Sequence, residues 1–572
     1  MDLARFLELV IISLATFGTR YLVHCEVFTE SEQSAIDEAI EELMNCRKIP
    51  GLGLSIVKND ESFAKGYGMA DVEDELAMTE NTLMCIGSTT KAFTSVLLGI
   101  LITENSKQGG TLSWTTTLRE IFGDDFNLTS DPVISSQVTL ADLLSHRSGV
   151  ASVDALLMAQ IYSEDYGKNL LGRLHLLPKR GQFRGQFSYN NLMYGLAGLA
   201  AETLGEKPYF ELLTEKILDP LGISSAVLID NLDFTQNLTS KPYQMINGTV
   251  RKGDSKFYRL GSFSPAGGLC LSPSDITKWL HFLNSYGKTP SYQSLVGSLT
   301  FVEMIYPQVT MDFLTQLSFG LFEQFPEPSI TSWYGFGWFG RFYRGNIDFF
   351  HGGSLFSYSS VVVTNPTKRT GIALTQNGLY PIILTMDLYP LAYYIKDILE
   401  GHTPWLNKST ICSYPEPWQR AYRSPPPDQN VVDKYVGETV NFTGTFSHIL
   451  YGEVVVEENN ASLYLMWGNI IKGTLYDIKN LQFKLRLKDD TYRVLGHELG
   501  SIAVIFSEEI SGRYNKVEIK FSKVMETYDF RKQVLLSSTL SSISSSATIL
   551  NLYRTELSVL CSILLILVNI YS

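Results

Sequence analysis

The sequence predicts an α+β layered domain followed by a small all-β module, and three observations carry that prediction. Short apolar runs of strand length stand at both ends of residues 31–400, with apolar stretches of helical length between them. A proline-rich break from Thr403 to Asp428 then interrupts the pattern. Beyond it, apolar and polar residues alternate from Tyr435 to Phe521. Length agrees, since 572 residues are too many for one ordinary core and fit two to four domains.

Taken in order, Ser31 to Cys46 sets Ile36, Ala39, Ile40, Leu43 and Met44 along one side, the pattern of an amphipathic helix. Gly51–Val57 and Ser62–Met69 flank Lys58-Asn59-Asp60 and read as a hairpin. Lys91 to Thr103 is a continuous apolar stretch of helical length; Leu140–Ser145, Tyr194–Leu204 and Tyr209–Leu218 also read as helices. Val361–Thr364 and Gly371–Thr375 flank Asn365-Pro366 as a second hairpin. Prolines 404, 415, 417 and 425–427 make residues 401–430 a stiff, non-helical linker. Residues 431–530 then carry strands at Gly452–Val456, Ser462–Leu465 and Phe483–Leu487. No repeat is evident.

The two ends read as processing segments. In residues 1–25, Arg5 precedes an apolar run from Phe6 to Phe17, too short for a membrane span, and Val23-His24-Cys25 supplies a cleavage site, so a secretory signal is expected. In 537–572, Ser544-Ser545-Ser546-Ala547, a spacer with Arg554 and Glu556, and the apolar Leu557–Tyr571 match a GPI-attachment signal. The expected location is extracellular, free or anchored to the outer cell surface. In that oxidising setting Cys46, Cys85, Cys270 and Cys412 remain, with three pairings open, and Cys85 is expected as a packed thiol. Sequons at Asn127, Asn237, Asn247, Asn407, Asn441 and Asn460 are expected glycan sites. A formal net charge of -13 argues against nucleic-acid binding and against docking on anionic lipid, and it identifies no partner.

Three motifs carry chemistry. Ser-x-x-Lys occurs four times, at Ser55, Ser62, Ser88 and Ser285. On a strand, residues three apart face opposite sides, which sets aside Ser55/Lys58 and Ser62/Lys65; Ser285 lies in a loop-like stretch. Ser88-Thr89-Thr90-Lys91 opens the long apolar helix, where i and i+3 share a face and a desolvated lysine can serve as a neutral base. Alone, the same residues read rather as a helix cap and a surface lysine. Tyr189-Asn190-Asn191 is the sole Tyr-x-Asn; its tyrosine can relay a proton and its amide can orient lysine and substrate, or Asn191 can simply cap a helix. His351-Gly352-Gly353-Ser354 holds the sole His-x-Gly. Its glycines permit close approach and a backbone N–H can serve an oxyanion hole, or the segment is a structural turn.

The order Ser-x-x-Lys, Tyr-x-Asn, His-x-Gly, with gaps of about 100 and 160 residues, resembles the class C β-lactamases, the low-molecular-weight penicillin-binding proteins and their esterase and peptidase relatives. Thr139–Gly149, Asp219–Ile223, Pro265–Leu269 and Tyr334–Trp338 are similar to four further segments of that superfamily. The resemblance covers about 31–400. It implies a β-lactamase/transpeptidase-like antiparallel sheet flanked by helices, with a helical subdomain and a small barrel-like domain after it. It also implies that Ser88 is the acylated nucleophile, that Lys91 and Tyr189 share proton transfer with the base left open, and that Asn191, His351, Gly353 and Ser354 bind substrate. The N–H groups of Ser88 and Ser354 would form the oxyanion hole, and His146 would support structure. Two departures stand out: His351 replaces a lysine, removing a permanent cation, and Phe356 replaces a glycine, narrowing the pocket.

No Gly-x-Ser-x-Gly elbow, zinc-hydrolase histidine pair or Walker loop is present, so no metal or cofactor is expected. Two readings follow. One is a serine hydrolase of an ester, amide or D-amino-acid peptide, with a small molecule or peptide as partner. The other is a weakly active or inactive extracellular matrix protein, of the kind in mollusc shell, that keeps the fold. The sequence sets no oligomeric state.

Overall fold

The computed structural model describes residues 27–532 apart from 160–167, 247–248, 313–314, 317–326, 328, 380–387, 419–438, 461, 480, 489–501 and 522–526. Both processing segments lie outside the described residues, as does Asn247. Helix α1, Glu30–Arg47, starts where Thr29 and Glu32 satisfy each other's backbone N–H groups in a capping box. It buries Ile36, Ala39, Ile40 and Leu43, the side its periodicity marks.

Strands β1 (Gly51–Lys58) and β2 (Glu61–Asp71) form the expected hairpin, with Asn59 in the left-handed region that its turn needs. Short strands follow: β3 (Leu76–Ala77), β4 (Met84–Cys85), β5 (Val227–Leu228), β6 (Tyr243–Ile246), β7 (Thr249–Lys252), β8 (Leu269–Leu271) and β9 (Val309–Thr310). Then come β10 (Ser329–Tyr334), β11 (Phe339–Tyr343), β12 (Asn346–Leu355), β13 (Tyr358–Asn365) and β14 (Thr370–Gln376). Nine of these make one antiparallel sheet in the order β3-β2-β1-β14-β13-β12-β11-β10-β9, so the two ends of the domain meet where β1 pairs with β14.

Strands β13 and β14 are buried along their whole length because helices cover both faces. Val361, Val363, Ile372 and Leu374 point to the layer of α1, while Val362 and Ala373 point to the opposite core. That opposite core is helical. Helix α2, Thr90–Lys107, is buried from Thr90 to Thr103, as a helix apolar all round must be. Around it lie α3 (Leu140–Leu144), α4 (Asp154–Met158), α5 (Asn191–Gly205) and α6 (Pro273–Asn284); the last helix, α7 (Leu388–Leu399), returns to the α1 side.

The first part of the expected linker is docked. Leu406 and Ile411 are buried and Cys412 is disulfide-bonded to Cys46 at the end of α1. The second bridge corrects an expectation. Cys85 is not a packed thiol but is bonded to Cys270, its directly opposed partner where β4 pairs with β8. Eight strands between Gly444 and Lys532 close into a barrel with Phe446, Val454, Trp467, Val504 and Phe530 inside. The turn after Trp467 reaches the first domain, where the Asn469 N–H donates to the Ala159 carbonyl at the end of α4 (3.0 Å). Asn127, Asn237, Asn407 and Asn460 are exposed and Asn441 is half-buried.

Candidate active site

Ser88 sits in a tight 3-10 turn, Gly87–Thr89, that feeds α2. Two glycines let this turn press against β12. Gly87 takes a positive φ, and a Cβ there would lie 2.7–2.8 Å from the Ser354 backbone. A Cβ on Gly353 would collide with the Ile86 carbonyl, which accepts hydrogen bonds from Ser360 Oγ (2.6 Å) and Thr89 Oγ1 (2.9 Å). The nucleophile turn and the Ser354 N–H are thereby brought side by side, the arrangement an oxyanion hole requires. Two of the other motifs are committed elsewhere: Ser55 donates to the Pro273 carbonyl, and Lys65, the lysine of the Ser62 motif, pairs with Asp37.

Lys91, the second residue of α2 and one turn beyond Ser88, is fully buried, and its Nζ bonds Ser88 Oγ (3.1 Å), Asn191 Oδ1 (2.8 Å) and the Ala266 carbonyl (2.7 Å). Burial lowers its pKa to about 7, opposed by the charge of Asp154. Tyr189 is hydrogen-bonded to Ser88, its ring lies 4.8 Å from Nζ, and burial holds its hydroxyl well above the ordinary value. At neutral pH Tyr189 therefore keeps its proton, while Lys91 is the group that can lose one.

Asn190 and Asn191 divide their duties. Asn190 caps α5 through Leu192 N–H (3.1 Å), which leaves Asn191 free to face Lys91. Asn191 Nδ2 in turn donates to Asp154 Oδ1 (3.2 Å). Sequence reasoning missed Asp154. Nothing distinguishes it locally from any acid in the first turn of a short helix.

His351 lies within β12 rather than at a strand end, and it is buried. Its Nδ1 donates to the Gly352 carbonyl (2.6 Å) and its Nε2 is 3.1 Å from the Tyr334 hydroxyl. Burial, helped by Lys91, lowers its pKa to about 3, so it is a neutral ring held by Tyr334. His146 is likewise buried and neutral. Its Nδ1 accepts the Asn190 N–H (3.1 Å), and its ring packs 4.3 Å from that of Tyr189, with Phe187, Tyr194 and Tyr334 around it. Phe356 is buried at the β12–β13 turn, edge-on to Tyr258. Among the described residues, no group of three His, Cys, Asp or Glu side chains is placed to hold a metal ion.

The structure thus gathers Ser88, Lys91, Tyr189 and Asn191 at one point, sets the Ser354 backbone against them, and places His351 behind Tyr189. Residues 36–384 match the family model described as Beta-lactamase. The chain is 27% identical over 365 residues to the unguisins hydrolase ungD of Aspergillus violaceofuscus, covering 60% of this chain and 61% of that protein. It is 24% identical over 461 residues to Protein flp of Staphylococcus aureus (strain MRSA252), covering 77% of this chain and 80% of that protein. Among solved structures, the octameric penicillin-binding protein homologue from Pyrococcus abyssi shares the fold with a TM-score of 0.51 at 20% identity, over 87% of this chain and 99% of that one.

Proposed function

This chain belongs to the β-lactamase family, and from that premise we propose that it is a secreted serine hydrolase that cleaves an amide or ester, D-amino-acid peptides included, through an acyl-enzyme on Ser88. The observation that carries the reading is the 3.1 Å contact between Ser88 Oγ and a buried lysine poised near neutrality. Neutral Lys91 takes the Ser88 proton, directly or through the Tyr189 hydroxyl, as Oγ attacks the carbonyl carbon. The developing oxyanion lies toward the N–H groups of Ser88 and Ser354. The proton then passes to the departing amine or alcohol, and water attacks the acyl-enzyme by the same relay in reverse. Neutral His351 offers no cation to a substrate carboxylate, which weighs against a β-lactam as the substrate.

Secretion is supported by the leader-like residues 1–25 and by two disulfides, which persist in oxidising compartments. The tail at 537–572 supports anchoring to the outer cell surface. The test is labelling of the secreted protein with a fluorophosphonate probe, beside turnover of a panel of esters, amides and D-peptides. Labelling and turnover are expected. A folded protein that neither labels nor turns over any panel member overturns the reading.

A further inference from the structure

Lys91 is enclosed by groups from four elements. Tyr189 precedes α5 and Tyr194 lies on it, with ring centres 4.8 Å and 5.3 Å from Nζ. His146 follows α3, His351 comes from β12, and both are neutral. Both tyrosines are held protonated by burial. Asp154, at the start of α4, is the one carboxyl group among the described groups that face Lys91; burial raises its pKa, the Asn191 hydrogen bond and the Lys91 charge oppose that, and its carboxylate form favours the ammonium.

Its link to Lys91 is geometric. Asn191 Nδ2 donates to Asp154 Oδ1 (3.2 Å), and Asn191 Oδ1 accepts from Lys91 Nζ (2.8 Å). An amide can present its oxygen to only one side, so an acceptor at Nδ2 fixes which way Asn191 faces. Asp154 is itself well held. Val153, Ala155 and Leu156 around it are buried, and the far end of its helix receives the Asn469 N–H from the barrel.

We propose that Asp154 is the positioning residue of this site: its carboxylate locks Asn191 with the oxygen toward Lys91, and its charge is the counter-charge of the Lys91 ammonium. It acts through Asn191 and Lys91. The inference deepens the hydrolase reading and rests on it only for its kinetic arm.

Two readouts on the full chain test it. The titration of Lys91 is followed by NMR of protein carrying 13C at the lysine Cε positions, with Lys91→Ala identifying the resonance. The pH profile of kcat/KM is followed on a neutral ester. Asp154→Asn keeps an acceptor for Asn191 and removes the charge, so the Lys91 titration and the acid limb should both move to lower pH. Asp154→Ala removes both and should cost about tenfold to a hundredfold at the plateau, as misplaced catalytic groups do. Asp154→Glu should return the titration toward wild type. An Asp154→Asn titration coincident with wild type overturns the charge role, and an Asp154→Ala plateau equal to wild type overturns the locking role. A protein that turns over nothing, yet whose Lys91 titration moves as stated, overturns the hydrolase reading and leaves this inference standing.

Discussion

Lys91 Nζ and Ser88 Oγ meet at 3.1 Å across one turn of backbone, and the same Nζ is held from behind by the Ala266 carbonyl. Three fixed acceptors around a buried amine leave it little freedom to rotate away. Ser88→Ala should therefore abolish covalent labelling, and Lys91→Ala should cost orders of magnitude in kcat/KM while leaving the fold intact. Peptide mapping of the fluorophosphonate adduct is the check, with thermal melting alongside; an adduct on another serine of the folded protein contradicts the assignment.

Activity should rise with pH through about 7, because Lys91 accepts the serine proton only after losing its own. Tyr189, held well above its ordinary value, should produce no fall on the alkaline side until beyond the usual tyrosine range. The measurement is kcat/KM against pH with a neutral ester. A flat profile from pH 5 to 8 would remove Lys91 from the role of base.

Stability should fall in mild acid. His351 titrates near 3 when folded and near 6.5 when unfolded, so the unfolded chain takes the proton first. The stabilisation is complete above pH 6.5 and is lost as pH falls from there toward 3; by pH 5 one such histidine costs about 2 kcal/mol. His146 acts in the same direction. Denaturant midpoints between pH 7 and 5 should slope less in His351→Gln, which can still accept from Tyr334.

Thiol chemistry gives a further check on the fold. Cys46, Cys85, Cys270 and Cys412 should resist alkylation in the unreduced protein, with non-reducing peptide maps joining 46 to 412 and 85 to 270. Replacing Cys85 and Cys270 together by Ser should lower stability by about 2–5 kcal/mol. It should also depress kcat more than the Cys412→Ser change does, since β8 begins three residues after Ala266, whose carbonyl holds Lys91.

Much of this was legible in the sequence where a local pattern decides the structure. The hairpin around Asn59 and the burial of α2 follow from period and turn chemistry. Ser88 stands out from three other Ser-x-x-Lys serines because only a helix puts i and i+3 together. What escaped was long-range. Cys85 meets Cys270 across 185 residues, and spacing alone cannot say which strand lies opposite. Asp154 reaches Lys91 only through Asn191, so its local sequence carries no mark of the role. Asn190 takes the capping duty that leaves Asn191 available, a choice between adjacent identical side chains that backbone direction settles. The hydrogen bond of His351 Nε2 with the Tyr334 hydroxyl, 17 residues earlier in the chain, likewise leaves no mark in the local sequence.

The Cys46–Cys412 bridge ties two points 366 residues apart, one at each border of the sheet-and-helix domain. Ser88, Lys91, Tyr189 and Asn191, the groups proposed to act on a substrate, lie inside the covalent ring so formed. A single proteolytic nick in any exposed loop of that ring would open the backbone without releasing a fragment, and the cut halves would stay within reach of each other. The same closure makes the domain a natural candidate for circular permutation, with its old ends already joined by sulfur and new ones free to be chosen far from Ser88.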